Sequence, residues 1–190
     1  MILTIKLTSH EAQIFNYTLE KFGVLLHDNN LYSTDGNMMI AVPTKYDGPK
    51  VSINWPKERK IGKAKKHALE LIIDTEEKEI AVMSKYWGEV KVECNWDEQS
   101  KFPPIDSIYN TVSSNEDKMS EFINSPQYGM DIGVLKKITS VIGEQIIFSS
   151  FANLLDPIAV TPFTYNNSNL TVRFDPNKHR PSIIMPMRIN

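Results

Sequence analysis

A chain of 190 residues, 41% hydrophobic and 23% charged, has the composition of a soluble globular protein with room for one domain or two small ones. No stretch approaches the ~18 consecutive apolar residues that a membrane span requires. The start, Met1-Ile2-Leu3-Thr4-Ile5-Lys6, alternates like a strand and shows no basic leader followed by a long apolar run, which points to the cytoplasm. The net charge of −2 argues against a uniformly basic nucleic-acid coat, and the single cysteine, Cys94, cannot form an internal disulfide.

Residues 2–7 read as a strand. Ser9 is the expected cap of a helix in which Ile14, Phe15, Leu19 and Phe22 fall at helical spacing and Gly23 ends the run. Val24–His27 and Leu31–Ser33 flank Asp28-Asn29-Asn30, a hairpin turn, and Asp35-Gly36 makes another turn before Met38–Val42. Val51–Trp55 alternates as a strand. Pro56 then stands where a first helical position would be.

Six of the chain's 21 Lys and Arg residues follow at once: Lys57, Arg59, Lys60, Lys63, Lys65 and Lys66, opposed only by Glu58. If the segment from Lys57 to Ala68 is a helix, Arg59, Lys63 and Lys66 form one stripe. Gly62 leaves a basic loop as the alternative. Leu69–Asp74 and Glu79–Ser84 flank the polar turn Thr75–Lys78, and Glu89–Cys94 alternates strictly as a half-buried strand.

At residues 97–104 the pattern resets. A polar run leads into Phe102-Pro103-Pro104, which a central strand cannot hold, and the linker is expected here. Asn115–Asn124 reads as a short helix. A second helix runs from Asp131 to Ile142, with Ile132, Leu135, Ile138 and Ile142 on one face and Gly143 as its stop. Strands are expected at Gln145–Phe151, Pro157–Phe163, Leu170–Asp175 and Ser182–Arg188. Short turns between consecutive strands imply antiparallel pairing. The expectation is an α+β chain of two similar units, 1–100 and 101–190, each with antiparallel sheets and one or two helices.

The end of the chain is an apolar run, Ile183-Ile184-Met185-Pro186-Met187-Arg188-Ile189-Asn190. Methionine is flexible and polarizable, and it is common where a surface accepts several partners. The tail Ile184-Met185-Pro186-Met187-Arg188 is similar to the terminal Met-Pro-Met-Arg of the bacterial β sliding clamp family. Phe102-Pro103 after a charged hairpin resembles the Phe-Pro that leads from one clamp domain to the next. Val134-Leu135-Lys136-Lys137-Ile138 opens a helix followed by strands, as the family's last domain does. The resemblance covers roughly residues 70–190; residues 1–69 match in strand–helix–strand layout alone.

The resemblance implies a ring around duplex DNA that serves as a polymerase processivity factor, with no cofactor, no metal and no catalysis. The bacterial clamp has three domains per chain and closes as a dimer. A chain of two units implies a homotrimer, in keeping with the two-domain clamps that close as trimers. A pore needs cations near phosphates, without base readout. Arg59, Lys60, Lys63, Lys65 and Lys66 are the first candidates, and Lys136 and Lys137 on the 131–142 helix are the second. A docking groove for polymerase and clamp-loader peptides would be lined by Pro103, Ile108, Ile183, Met185, Pro186, Met187 and Arg188, with Ser107 where the family often carries arginine.

Two other classes compete with the clamp. Trp55, Tyr86, Trp87 and Trp96 beside the lysines suit a single-stranded nucleic-acid binder. A small enzyme is the other, but His10, His27, His67 and His179 are scattered without metal-ligand spacing. Asp74, Glu76, Glu77 and Glu79 sit on a hairpin turn where solvated charge is the simpler reading. Cys94, on its alternating strand, reads as a small core residue.

Overall fold

The computed structural model describes residues 1–17, 22–62, 67–96, 102–116, 131–143, 146–149, 157–166, 169–172 and 180–184. Within them the chain is mostly antiparallel sheet with few helices, an α+β arrangement. In the first half, β1 (Ile2–Leu7), a 3-10 helix (Glu11–Tyr17), β2 (Val24–His27), β3 (Asn30–Thr34) and β4 (Met38–Pro43) are followed by β5 (Val51–Asn54), β6 (Leu69–Asp74), β7 (Glu79–Ser84) and β8 (Gly88–Asn95). Then come α1 (Ile105–Glu116), α2 (Ile132–Ile142), β9 (Ile146–Ser149), β10 (Ile158–Asn166), β11 (Asn169–Val172) and β12 (Ser182–Ile184).

The turns follow from their residues. Asp28 and Asn29 take φ of 49° and 57°, the left-handed pair that a two-residue hairpin requires. Asn30, expected in the turn, therefore opens β3 opposite His27. In the β6–β7 turn Asp74 Oδ1 accepts the N–H groups of Glu76 at 3.0 Å and Glu77 at 3.3 Å. The 3-10 helix is capped by Thr8 and not Ser9: Thr8 N–H donates to Glu11 Oε2 at 2.8 Å while Glu11 N–H donates back to Thr8 Oγ1 at 3.3 Å. The expected continuation of this helix through Leu19 falls on residues 18–21, outside the described ones.

Residues 2–95 contain a repeat finer than the one expected. Each part is a lone strand, a crossover and a three-strand meander: β1, residues 8–23, β2-β3-β4; then β5, residues 55–68, β6-β7-β8. Each lone strand pairs with the first strand of the other part's meander, β1 with β6 and β5 with β2. The pairing path runs β1-β6-β7-β8-β5-β2-β3-β4-β12-β10-β11, with β9 also on β10. The sheet thus passes without a break from β4 of the first half to β12 of the second, through Ile183 opposite Met39.

Alternation along the strands separates two apolar faces. One face, with Leu26, Leu31, Ile40, Ile53, Leu71 and Val82 among its residues, is covered by the 3-10 helix, by Trp55 and Ile61, and by α2. The other, with Leu25, Tyr32, Met39, Ala41, Ala159 and Ile183, lies under Phe102 and α1.

One helix is unexpected and one helix face is corrected. The expected helix Asn115–Asn124 lies outside the described residues beyond Glu116; ahead of it α1 starts at Ile105, because Pro104 opens it, its carbonyl accepting from Ile108 N–H at 3.3 Å, and Phe102, Ile105 and Tyr109 all bury. In α2, capped by Asp131 and ended by Gly143, the buried residues are Val134, Ile138, Val141 and Ile142, while Ile132 stays 65% exposed in the first turn. Among the described residues no helix is long and apolar enough to cross a membrane.

Candidate nucleic-acid interface

The basic segment is a loop over its described residues, 55–62 and 67–68, anchored at three points. Trp55 is buried against Phe15, with ring centroids 4.6 Å apart, and its indole N–H donates to the Arg59 carbonyl at 2.8 Å. Arg59 N–H donates to the Pro56 carbonyl at 3.1 Å, closing the turn. Ile61 is core, and here the two crossovers meet. Asn16 Nδ2 donates to the Ile61 carbonyl at 2.7 Å, Ile61 N–H donates to Asn16 Oδ1 at 2.8 Å, and Gln13 Nε2 donates to the Gly62 carbonyl at 2.8 Å.

These anchors leave Lys57 and Lys60 exposed and Arg59 half-buried, its guanidinium 5.5 Å from the Trp87 ring centroid. Lys63, Lys65 and Lys66 lie outside the described residues.

The β7–β8 turn reaches the same place. Trp87 stands 5.8 Å from Trp55. Tyr86, 47% exposed, stacks on the His67 ring at 4.5 Å and 20°, and Lys85 Nζ lies 5.4 Å from the Tyr86 centroid. Tyr86 and Trp87 are among the stacking groups expected from the sequence; Lys85 and His67 join them only in the fold. The signal available was the Ser84–Gly88 turn, in which Ser84 Oγ accepts from Tyr86 N–H at 3.2 Å and so turns the tip outward.

Helix α2 lies beside the 3-10 helix, joined by a hydrogen bond of 2.8 Å between the Tyr17 and Ser140 hydroxyls. Lys136 points to solvent. Lys137 instead donates to Asp35 Oδ2 at 2.6 Å, and Asp35 is largely buried, its other oxygen accepting from Asn37 and Met38 N–H. Of the expected DNA-facing cations, Lys137 is therefore occupied. Among the described residues Arg59, Lys60, Lys85 and Lys136 make no ion pair with a carboxylate.

The expected docking residues divide. Pro103 and Ile108 are half-buried beside the α1 cluster. Ile183 was expected to line a groove and is core instead: it is 1% exposed, because β12 is an internal strand between β4 and β10 and α1 covers it. Met185, Pro186, Met187 and Arg188 lie outside the described residues. A feature the sequence did not announce fastens α1 to the sheet. Arg180 donates to Asp106 at 2.9 Å and to Asp28 at 3.0 Å, with its guanidinium 4.7 Å from the Tyr109 centroid, while Tyr109 donates to the Pro181 carbonyl. Burial pushes the hydroxyls of Tyr32 and Tyr109 well above the ordinary tyrosine value, so both stay neutral.

The residues considered for chemistry take structural places. Asp74 serves its turn, and Cys94 is half-buried with the Trp96 indole N–H on its sulfur at 3.2 Å. Among the described residues no three His, Cys, Asp or Glu side chains are grouped to hold a metal ion. Comparison of the chain with protein-family models, with curated proteins and with solved structures gives no match.

Proposed function

We propose that the chain is a subunit of a DNA sliding clamp, a processivity factor that holds duplex DNA without reading its sequence and docks replication proteins near its C-terminus. The observation that carries this reading is a division of labour between the two faces of one sheet. The layer formed by the 3-10 helix, the 55–62 loop and α2 carries Arg59, Lys60 and Lys136, which have no carboxylate partner among the described residues. The opposite face carries the apolar α1 cluster with Pro103 and Ile108 at its margin.

Cations on a rigid layer attract phosphates at every register of the duplex equally, which is what sliding needs. Lys63, Lys65 and Lys66, assigned from the sequence to the same DNA-facing role, and Met185, Pro186, Met187 and Arg188, assigned to docking, lie outside the described residues. The chain comprises two similar units, 1–100 and 101–190, and three copies complete a six-domain ring. Among the described residues the pairing path ends at β1 and at β11, edges through which copies can add head to tail.

Light scattering at micromolar concentration, combined with retention on nicked circular and linearised plasmid, tests the proposal. A trimer retained on circles and lost from linear ends is expected. A strict monomer, or equal loss from both DNA forms, overturns it.

A further inference from the structure

We infer that the rim formed by Tyr86, His67, Lys85 and the Arg59–Trp87 pair binds unpaired bases of single-stranded nucleic acid. The inference stands apart from ring closure, since it concerns one surface of one chain. A stacking subsite needs an aromatic face that is exposed, held in one orientation, and flanked by cations that reach the backbone of the same strand.

Tyr86 meets each condition. It is 47% exposed at the tip of a three-residue turn. Its ring is backed by His67 at 4.5 Å and 20°, so one face is occupied and the ring is fixed. Gly62 leaves room for this: a Cβ there would come within 3.3 Å of His67 Nε2.

Lys85 stands 5.4 Å from the ring centroid, and Arg59 lies over Trp87 on the adjoining turn. Lys60, exposed on the same loop, continues the cationic track. In a duplex the base faces are covered by neighbouring bases, so an aromatic tip offers it nothing beyond charge. An unpaired base can lie on Tyr86 while its phosphates meet Lys85, Arg59 and Lys60.

The test is anisotropy of a fluorescein-labelled oligothymidylate of about 15 nucleotides with wild-type protein, Tyr86→Phe and Tyr86→Ala, each checked for an unchanged melting curve. Wild type binds; Tyr86→Phe, which keeps the ring, binds as wild type; Tyr86→Ala weakens binding about tenfold, the effect of losing one stacked base. Should Tyr86→Ala unfold, the double variant Lys60→Gln, Lys85→Gln carries the test, with a salt dependence flatter by about 1–2 in log–log slope.

Absence of oligonucleotide binding by wild type overturns the inference, as does unchanged binding by a folded Tyr86→Ala or an unchanged salt slope. Retention on circular DNA without oligonucleotide binding would sink this subsite and leave the clamp reading intact. Oligonucleotide binding without circular retention would do the reverse.

Discussion

Replacing Asn16 by alanine should detach the basic loop from the layer that supports it. Three hydrogen bonds are removed: Asn16 Nδ2 to the Ile61 carbonyl at 2.7 Å, Asn16 Nδ2 to Gln13 Oε1 at 2.7 Å, and Ile61 N–H to Asn16 Oδ1 at 2.8 Å. The orientation of the amide is fixed by the peptide it binds, because Ile61 offers one donor and one acceptor. Each bond contributes about 1 kcal/mol net, and Ile61, 3% exposed, is left with two main-chain groups that water reaches poorly. Together these give a loss of about 2–4 kcal/mol.

For a slope of about 2 kcal/mol per molar urea, the unfolding midpoint falls by about 1–2 M at unchanged slope. Asn16→Asp does not rescue, because it sets carboxylate oxygen against the Ile61 carbonyl and the Gln13 amide oxygen. DNA retention falls in parallel, since Arg59 and Lys60 lose their support. A midpoint within about 0.2 M of wild type would refute the claim that the side-chain bridge holds the loop in place.

Lys136→Gln should lower the salt dependence of DNA binding by about one counterion, while Lys137→Gln leaves it unchanged, because Lys137 already neutralises Asp35; equal effects would refute the assignment. Gly23→Ala should destabilise by about 2–3 kcal/mol, since Gly23 has φ of +64° and a Cβ there would stand 2.7 Å from the Ile53 carbonyl oxygen. Its melting temperature falls by about 5–10 °C, and a change under about 2 °C contradicts the geometry. Tyr46, pushed up to about 12 by burial and then by Asp47, is protonated more readily folded than unfolded. The stability this adds is complete below about pH 10 and is lost as pH rises through 12. Tyr46→Phe loses the bond to the Pro49 carbonyl at all pH values and removes this alkaline limb; parallel pH curves for the two proteins would refute the sign.

The elements most legible in the sequence were those whose information is local. Leu69–Asp74 and Glu79–Ser84 appear with the expected bounds because period-two alternation and a polar turn specify a hairpin without reference to anything distant. Helix α1 was missed because Phe102-Pro103-Pro104 carries two opposite meanings, strand breaker and helix opener, and only the burial of Ile105 and Tyr109 decides between them.

The face of α2 was shifted for a similar reason. Ile132 satisfies the helical spacing, but in the first turn it stays exposed, whereas Val134 and Val141 are buried. At the candidate site the exposure of Lys60 and Lys136 could be read directly, while Lys63, Lys65 and Lys66 lie outside the described residues. That Lys137 is tied to Asp35, and that Tyr86 and His67 stack, depend on contacts between separate elements, and no spacing rule records those.

The distribution of charge follows from where the two crossovers pack. Both place apolar side chains in the same core cluster, over one face of the sheet. Each presses apolar side chains downward, Ile14 and Phe15 in the first and Trp55 and Ile61 in the second, so their upper sides must be polar. In the first crossover Gln13 and Asn16 spend that polarity on holding the second. Among the described residues of the second, Arg59 and Lys60 carry their charge without a carboxylate partner.

On the reverse face the strands carry cations too, but these are matched. Lys6 lies 3.5 Å from Glu70 and Lys91 2.6 Å from Glu79, the latter carboxylate holding the Lys91 ammonium above the ordinary lysine value. Among the described residues, Arg59, Lys60 and Lys136 on the one layer have no carboxylate partner, though Lys137 there is paired with Asp35, while Lys6 and Lys91 on the other are paired. An approaching polyanion is attracted to the first at distances of about a Debye length, roughly 8–10 Å, and is scarcely drawn to the second. The face on which both crossovers pack is therefore the one that, under the proposed function, meets nucleic acid.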